Sequence, residues 1–182
     1  MMLYSSTPVT METRYGSFRF HAFLDVNTGH CHQALLSGPP AATPKLRVQS
    51  KCLPGTAFGS VMCDCGDQLQ QALRWLGTSP GAILLHLDQE ARGHGLFAKV
   101  EVLRQLNRSP SLVDAQHAAG VPEDARNYRA VAAILKALDV HTVDLLSNSE
   151  QRTKQMRIDG VPVRKRLDFS AEPIHEASHH GP

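Results

Sequence analysis

Apolar and polar residues alternate along this chain with two different periods. Residues 16–26, GSFRFHAFLDV, alternate aromatic and polar positions, the period-two pattern of a half-buried strand. Residues 30–38, HCHQALLSG, follow an Asn-Thr-Gly turn and predict its hairpin partner. GPPAATP (38–44) is a loop by its Gly and Pro content, and KLRVQSK (45–51) predicts a third strand. After Cys65 the period lengthens. Leu69, Ala72, Leu73 and Leu76 fall on one side of a helix. GAILLHLD (81–88) is short and nearly all apolar, the pattern of a strand buried on both faces. Residues 94–106 and 127–139 predict amphipathic helices, and HTVDLLSNS (141–149) another buried strand. A helix over 150–160 closed by Gly160 and a final strand over 161–169 complete the series.

Strands alternating with helices in the second half predict a layered α/β protein. The hairpin in the first third makes the expected sheet mixed rather than purely parallel. The expected fold class is therefore mixed α/β (α+β), with helices flanking a mixed sheet. Residues 14–169 are expected to form one domain. Residues 1–13 read as a loose lead-in and SAEPIHEASHHGP (170–182) as a disordered tail.

Composition narrows the class of function. Of 182 residues, 20% are charged and 42% belong to the hydrophobic set, a balance that predicts a packed globular core. The net charge of +2 does not by itself call for nucleic acid, but it suits a cleft for a small anion. No apolar run is long enough to span a bilayer, so no membrane partner is expected. MMLYSSTPVTMETRYG lacks a charged start followed by an apolar core, which makes a cytoplasmic, reducing location the default.

In that compartment clustered cysteines are more often metal ligands or catalysts than disulfides. Three of the four cysteines, Cys52, Cys63 and Cys65, stand in KCLPGTAFGSVMCDCGDQL. Thiolates are strong zinc ligands, and a Cys-x-Cys pair reaches one ion only through a tight turn, which Gly66 and a helix start could supply. Three local ligands fit a catalytic site with an open position. Cys31 could close the set or be a small buried hydrophobe. The loop DQEARGHGL (88–96) follows a buried strand, where α/β folds place their sites, yet it also reads as a charged turn. Asp124 and Arg126 could be ordinary residues before a helix. Arg152 and Lys154 follow a polar loop that suits phosphate or plain solvation. His175, His179 and His180 read as incidental residues of the tail.

Taken in order, these blocks resemble GTP cyclohydrolase II, the first committed enzyme of riboflavin synthesis. RVQSKCLPGTAFGSVMCDCGDQL resembles its Arg-Val-His-Ser-Glu-Cys signature with two further cysteines at the same spacings. GAILLHLDQEARGHGL, EDARNY and VDLLSNS resemble later blocks, so that the likeness spans about residues 12–165. The resemblance implies a catalytic zinc on Cys52, Cys63 and Cys65, with a water that opens the guanine imidazole ring of GTP at C8. It implies pyrophosphate release with Arg126 as nucleophile and Asp124 as its base, and Mg2+ on the leaving pyrophosphate. Arg47, Gln68, Glu90, Arg92, Ser147 and Arg152 fall on its nucleotide-contact positions, and a homodimer is implied.

The departures gather near this chemistry. The family's catalytic tyrosine falls at Leu103, which can neither donate a hydrogen bond nor move a proton. A second tyrosine position is His86, a candidate for the missing proton donor. Glu-Gly-Arg has become Glu90-Ala91-Arg92, a phosphate-contacting lysine has become Arg152, and the usual His and Glu are Gln49 and Lys51. The expectation is a diverged, zinc-dependent nucleotide cyclohydrolase, with formate release left open. The alternatives are a specialised-pathway enzyme acting on another nucleotide such as UTP, and a non-catalytic zinc-stabilised nucleotide-binding module.

Overall fold

The computed structural model describes residues 1–106, 108–109, 111–121 and 124–169. The expected tail, with its three histidines, lies outside the described residues. Strands β1 (Leu3–Ser5), β2 (Val9–Thr13), β3 (Gly16–Asp25), β4 (Cys31–Leu36) and β5 (Lys45–Ser50) come first. Helices α1 (Leu53–Ala57) and α2 (Cys65–Gly77), strand β6 (Ile83–Leu87) and a 3-10 turn at Glu90–Gly93 follow. Then come α3 (Gly95–Leu106), α4 (Leu112–Ala118), α5 (Arg129–Ala137), β7 (Val143–Leu146), α6 (Glu150–Ile158) and β8 (Val163–Leu167).

One mixed sheet has the order β1-β3-β4-β6-β5-β7-β8, with β2 also on β3. β3, β4 and β6 pair antiparallel, whereas β6, β5, β7 and β8 run parallel. β5, β6 and β7 are buried on both faces, which explains their near-continuous apolar runs, whereas β8 is a largely exposed edge strand. Leu84, Leu35 and Phe18 pack with Ala72, Trp75 and Leu76 of α2 on one face. Ile83, Leu85, Leu46 and Leu145 pack with Val131, Ile134 and Leu135 of α5 on the other. Fully burying each large aliphatic side chain contributes about 1.5–3 kcal/mol before entropy is charged against it.

The two crossovers leave the sheet in opposite directions. β5 leads through α2 to β6, and β6 leads through α5, past β5, to β7. A cleft opens at the carboxyl ends of strands where such connections diverge. β5 leads there into Cys52, β6 into Asp88 and β7 into Ser147, so three separate blocks of sequence meet at one sheet edge.

Residues 1–13 are not a loose lead-in. β1 and β2 both pair antiparallel with β3, in registers Leu3↔Asp25 and Val9↔Phe20. Their side chains are mostly exposed, so no apolar alternation marks them. α1, α4 and the 3-10 turn also lie outside the expected elements.

Candidate metal centre and anion cleft

Cys52 ends the β5 extension and precedes α1, while Cys65 opens α2. The three Sγ atoms of Cys52, Cys63 and Cys65 all lie within 4.8 Å of one another. Tetrahedral zinc with bonds of about 2.3 Å sets its sulfurs about 3.8 Å apart, and Cys52 and Cys63 stand at 3.6 Å. Two glycines let the segments close around the thiols. A Cβ on Gly55 would come within 3.0 Å of Cys63 Sγ and 3.4 Å of Cys52 Sγ. A Cβ on Gly66 would come within 2.6 Å of the Gly55 carbonyl oxygen.

The electrostatics suit a cation. Burial raises the Cys65 thiol well above its usual range, with the charges of Cys52 and Cys63 adding to it. Burial also raises Cys52, against the Gly55 N–H and the Lys99 charge. Burial pushes Cys63 up too, but the N–H of Cys65 and both neighbouring thiols outweigh it, so Cys63 lies below its ordinary value. Three thiolates cannot coexist here without a counter-charge, and a bound divalent ion supplies it. The donor set therefore fits zinc. Cys31 does not join it: its backbone N–H donates to Asp88 at 3.3 Å, and the metal-ligating triad excludes its thiol.

Glu90 belongs to the scaffold of this centre. It is buried, and its carboxylate accepts from Leu53 N at 2.6 Å and from Ala91 N at 3.0 Å. The β6 loop is thus tied to the first residue after Cys52. Ala91 and Arg92 both adopt left-handed backbone, φ 50° and 56°, so that the turn reverses within two residues.

Beside the thiols lies a cleft of about 400 Å³ lined by Arg92, Asp124, Arg126, Tyr128, Arg152 and Gln155, among others. Asp124 takes Arg126 Nε at 2.9 and 3.2 Å and also accepts from its Nη2. Burial works against both charges, yet this pairing outweighs it, holding Asp124 below and Arg126 above their ordinary values. The Cys65 charge also favours protonated Arg126. Arg152 is depressed by burial and then by Arg126. Arg47 is 4% exposed, stacks 4.3 Å from the Phe169 ring, and is brought down to about 10 by burial and then by Arg152. The Nε atoms of Arg47 and Arg152 are both buried without a hydrogen-bond partner.

Not every expected contact residue enters the cleft. Gln68 donates to Asp64 at 2.6 Å on α2. Ser147 is spent within its own loop, where its hydroxyl meets the backbone of Ser149. Arg92 reaches the cleft while donating to Gln116 at 2.8 Å. His86 sits on β6 with Nδ1 2.9 Å from Gln33 Oε1. Leu103 is half-buried on α3, one turn beyond Lys99. Tyr128, Gln116, Lys99 and Phe169 were not singled out by sequence. Tyr128 alone had a signal, its place two residues after Arg126.

A three-thiol cluster that could hold a metal ion and an arginine-lined cleft lie at the switch edge of an α/β sheet, the arrangement of a site suited to a cation and an anionic ligand. Residues 5–168 match the family described as GTP cyclohydrolase II. The GTP cyclohydrolase-2 of Aeromonas hydrophila is 35% identical over 159 residues, 86% of this chain and 81% of that one. The GTP cyclohydrolase-2 of Xylella fastidiosa (strain Temecula1) is 34% identical over 181 residues, 98% of this chain. The RibBA riboflavin biosynthesis protein of Staphylococcus saprophyticus is 34% identical over 161 residues, 88% of this chain. The chain spans only 45% and 41% of those last two relatives. It belongs to the GTP cyclohydrolase II family. Among the described residues no helix is long and apolar enough to cross a membrane.

Proposed function

We propose that this protein is a zinc-dependent nucleotide cyclohydrolase that opens the imidazole ring of GTP at C8 and releases pyrophosphate. The observation that carries the reading is the adjacency of the cysteine triad to the arginine cleft: Glu90 ties the Arg92 turn to Leu53, next to Cys52, and the Arg92 carbonyl accepts from Ala125 N at 3.0 Å, next to Arg126. Cys52, Cys63 and Cys65 would hold the ion. When bound, zinc supplies the Lewis acidity that makes hydrolysis of an amidine carbon feasible near neutral pH.

The remaining roles fall to the chain's own groups. Arg152, Arg92 and Arg126 bind the triphosphate, with Arg47 reinforcing the field from beneath. Asp124 keeps Arg126 aligned and protonated. This favours Arg126 as the partner of charge developing on the departing pyrophosphate. Use of Arg126 as a nucleophile requires it first to lose a proton, which Asp124, an unusually weak base here, accepts poorly. Mg2+ would share the pyrophosphate charge. Gln68 and Ser147 complete the set carried over from the resemblance, and His86 stands at a position where the family has a tyrosine. The assembly is proposed to be a homodimer working in the cytoplasm.

The test is product analysis by mass spectrometry after incubation with zinc, Mg2+ and each of GTP, ATP, UTP and CTP, with formate and pyrophosphate measured. GTP-specific ring opening with pyrophosphate release is the expected result. Turnover of UTP alone would replace the substrate, and no turnover with intact nucleotide binding would favour a binding module.

A further inference from the structure

The sheet face toward α2 carries a polar row that the metal centre does not use. Gln33 of β4 and Gln49 of β5 are the two cross-strand neighbours of His86. Gln49 in turn accepts from Arg47 at 3.4 Å, so the row runs toward the arginine cleft. Within it, His86 has one ring nitrogen bonded and one buried without a partner: Nδ1 meets Gln33 Oε1 at 2.9 Å, while Nε2 is shielded and unpaired.

Which nitrogen carries the proton follows from the far end of the Gln33 side chain. Gln33 Nε2 donates to the Cys31 backbone carbonyl. A carbonyl oxygen can only accept, so the amide must turn its NH2 toward Cys31 and its oxygen toward His86. An amide oxygen also only accepts. The proton of the neutral ring therefore sits on Nδ1, and Nε2 is a bare lone pair. Reversing the amide would face two acceptors at Cys31, which disfavours the other tautomer by about tenfold or more.

We propose that Gln33 is a positioning residue that locks His86 in the Nδ1–H form, so that the ring holds a bare lone pair at Nε2 and no proton to give there. This reverses the expectation that His86 stands in as a proton donor. Burial, with the Lys51 charge acting alongside it, keeps the ring neutral against the smaller opposing influences of Asp88 and Glu90. The catalytic consequence rests on the function proposed above, but the tautomer does not.

The test is long-range 1H–15N NMR of the imidazoles in the zinc-loaded full chain at pH 8, with His86 assigned by the signal lost in His86→Asn. Wild type is expected to show a protonated Nδ1 and an unprotonated Nε2. Gln33→Leu, which removes the acceptor facing Nδ1, shifts that pattern toward Nε2–H at unchanged zinc content. A wild-type ring protonated on Nε2, or a pattern unmoved in Gln33→Leu, overturns the proposal. The wild-type spectrum decides even if Gln33→Leu does not fold. An Nδ1–H ring in a protein that turns over no nucleotide supports the tautomer lock and sinks the cyclohydrolase reading instead.

Discussion

Replacing Gly55 by alanine separates the metal centre from the fold that carries it. Gly55 lies in α1 with an ordinary helical backbone, so alanine is conformationally welcome. In a helix interior it is favoured over glycine by up to about 1 kcal/mol. Its methyl group, however, would sit 3.0 Å from Cys63 Sγ, 3.3 Å from Cys65 Cβ and 3.4 Å from Cys52 Sγ. A carbon this close to sulfur forces the thiols apart by several tenths of an ångström, and overpacking of that size costs about 1–3 kcal/mol. Two effects of opposite sign follow. The metal-free protein should unfold at an unchanged or slightly higher urea concentration. Zinc affinity should fall by about tenfold to a hundredfold, read by competition against a chromogenic chelator. If Gly55→Ala bound zinc as tightly as wild type, the three thiols would not be the ligands. If the metal-free variant lost as much stability as the holo form, Gly55 would be serving helix packing and not the site.

Three further outcomes test other parts of the structure. Ala91→Gly should stabilise the protein by about 0.5–1 kcal/mol. The left-handed backbone at φ 50°, ψ 48° costs alanine about 1–2 kcal/mol, against about 0.4–1 kcal/mol of extra unfolded-chain entropy for glycine, and a lowered urea midpoint would refute it. His21, His32 and His86 are all depressed, first by burial. Groups depressed in the folded state contribute stability above their unfolded pKa of about 6.5, which is lost as pH falls. Urea midpoints should therefore drop between pH 8 and pH 5, and a flat or rising series would contradict the assignment of neutral rings. Pyrophosphate at a hundred times its Kd should raise the melting temperature by about 5–10 °C, and Arg152→Leu should abolish most of that shift. An equal shift in the variant would place the anion elsewhere.

How far this could be read in advance depended on where each segment buries its side chains. β3 to β6 and α2, α5 and β7 were legible because their apolar residues face one of two large cores with a full period. β1 and β2 bury almost nothing, α4 buries only Ala115 and Gln116 among its described side chains, and α1 is five residues beginning Leu-Pro-Gly, so no periodicity could reveal them. The cysteine triad was legible from spacing because its ligands are local. For Glu90 and Ser147 the sequence marked the residue but not the atom it faces. Glu90 turned to the backbone that anchors Cys52, and Ser147 to its own loop. Gln33 was invisible for a plainer reason. Its partner is 53 positions away, and only the β4–β6 register brings them together.

The charge layout also decides which way round a nucleotide would lie. Arg92, Arg126 and Arg152 converge on one cleft, with Arg47 buried within electrostatic reach, and the depression of Arg47 and Arg152 records their desolvation and mutual repulsion. Asp124 offsets one of these charges. Among the described residues Arg47 and Arg152 pair with no carboxylate, and each buries an Nε–H without an acceptor, so an oligophosphate would relieve both costs. The neighbouring centre has the opposite sign. A divalent ion on three thiolates carries a net charge of −1, which attracts Arg126 but repels phosphate. On the function proposed above, a triphosphate nucleotide spanning both regions would place its phosphates among the arginines and its neutral base toward the thiols. Orientation follows from charge before any contact with the base is made.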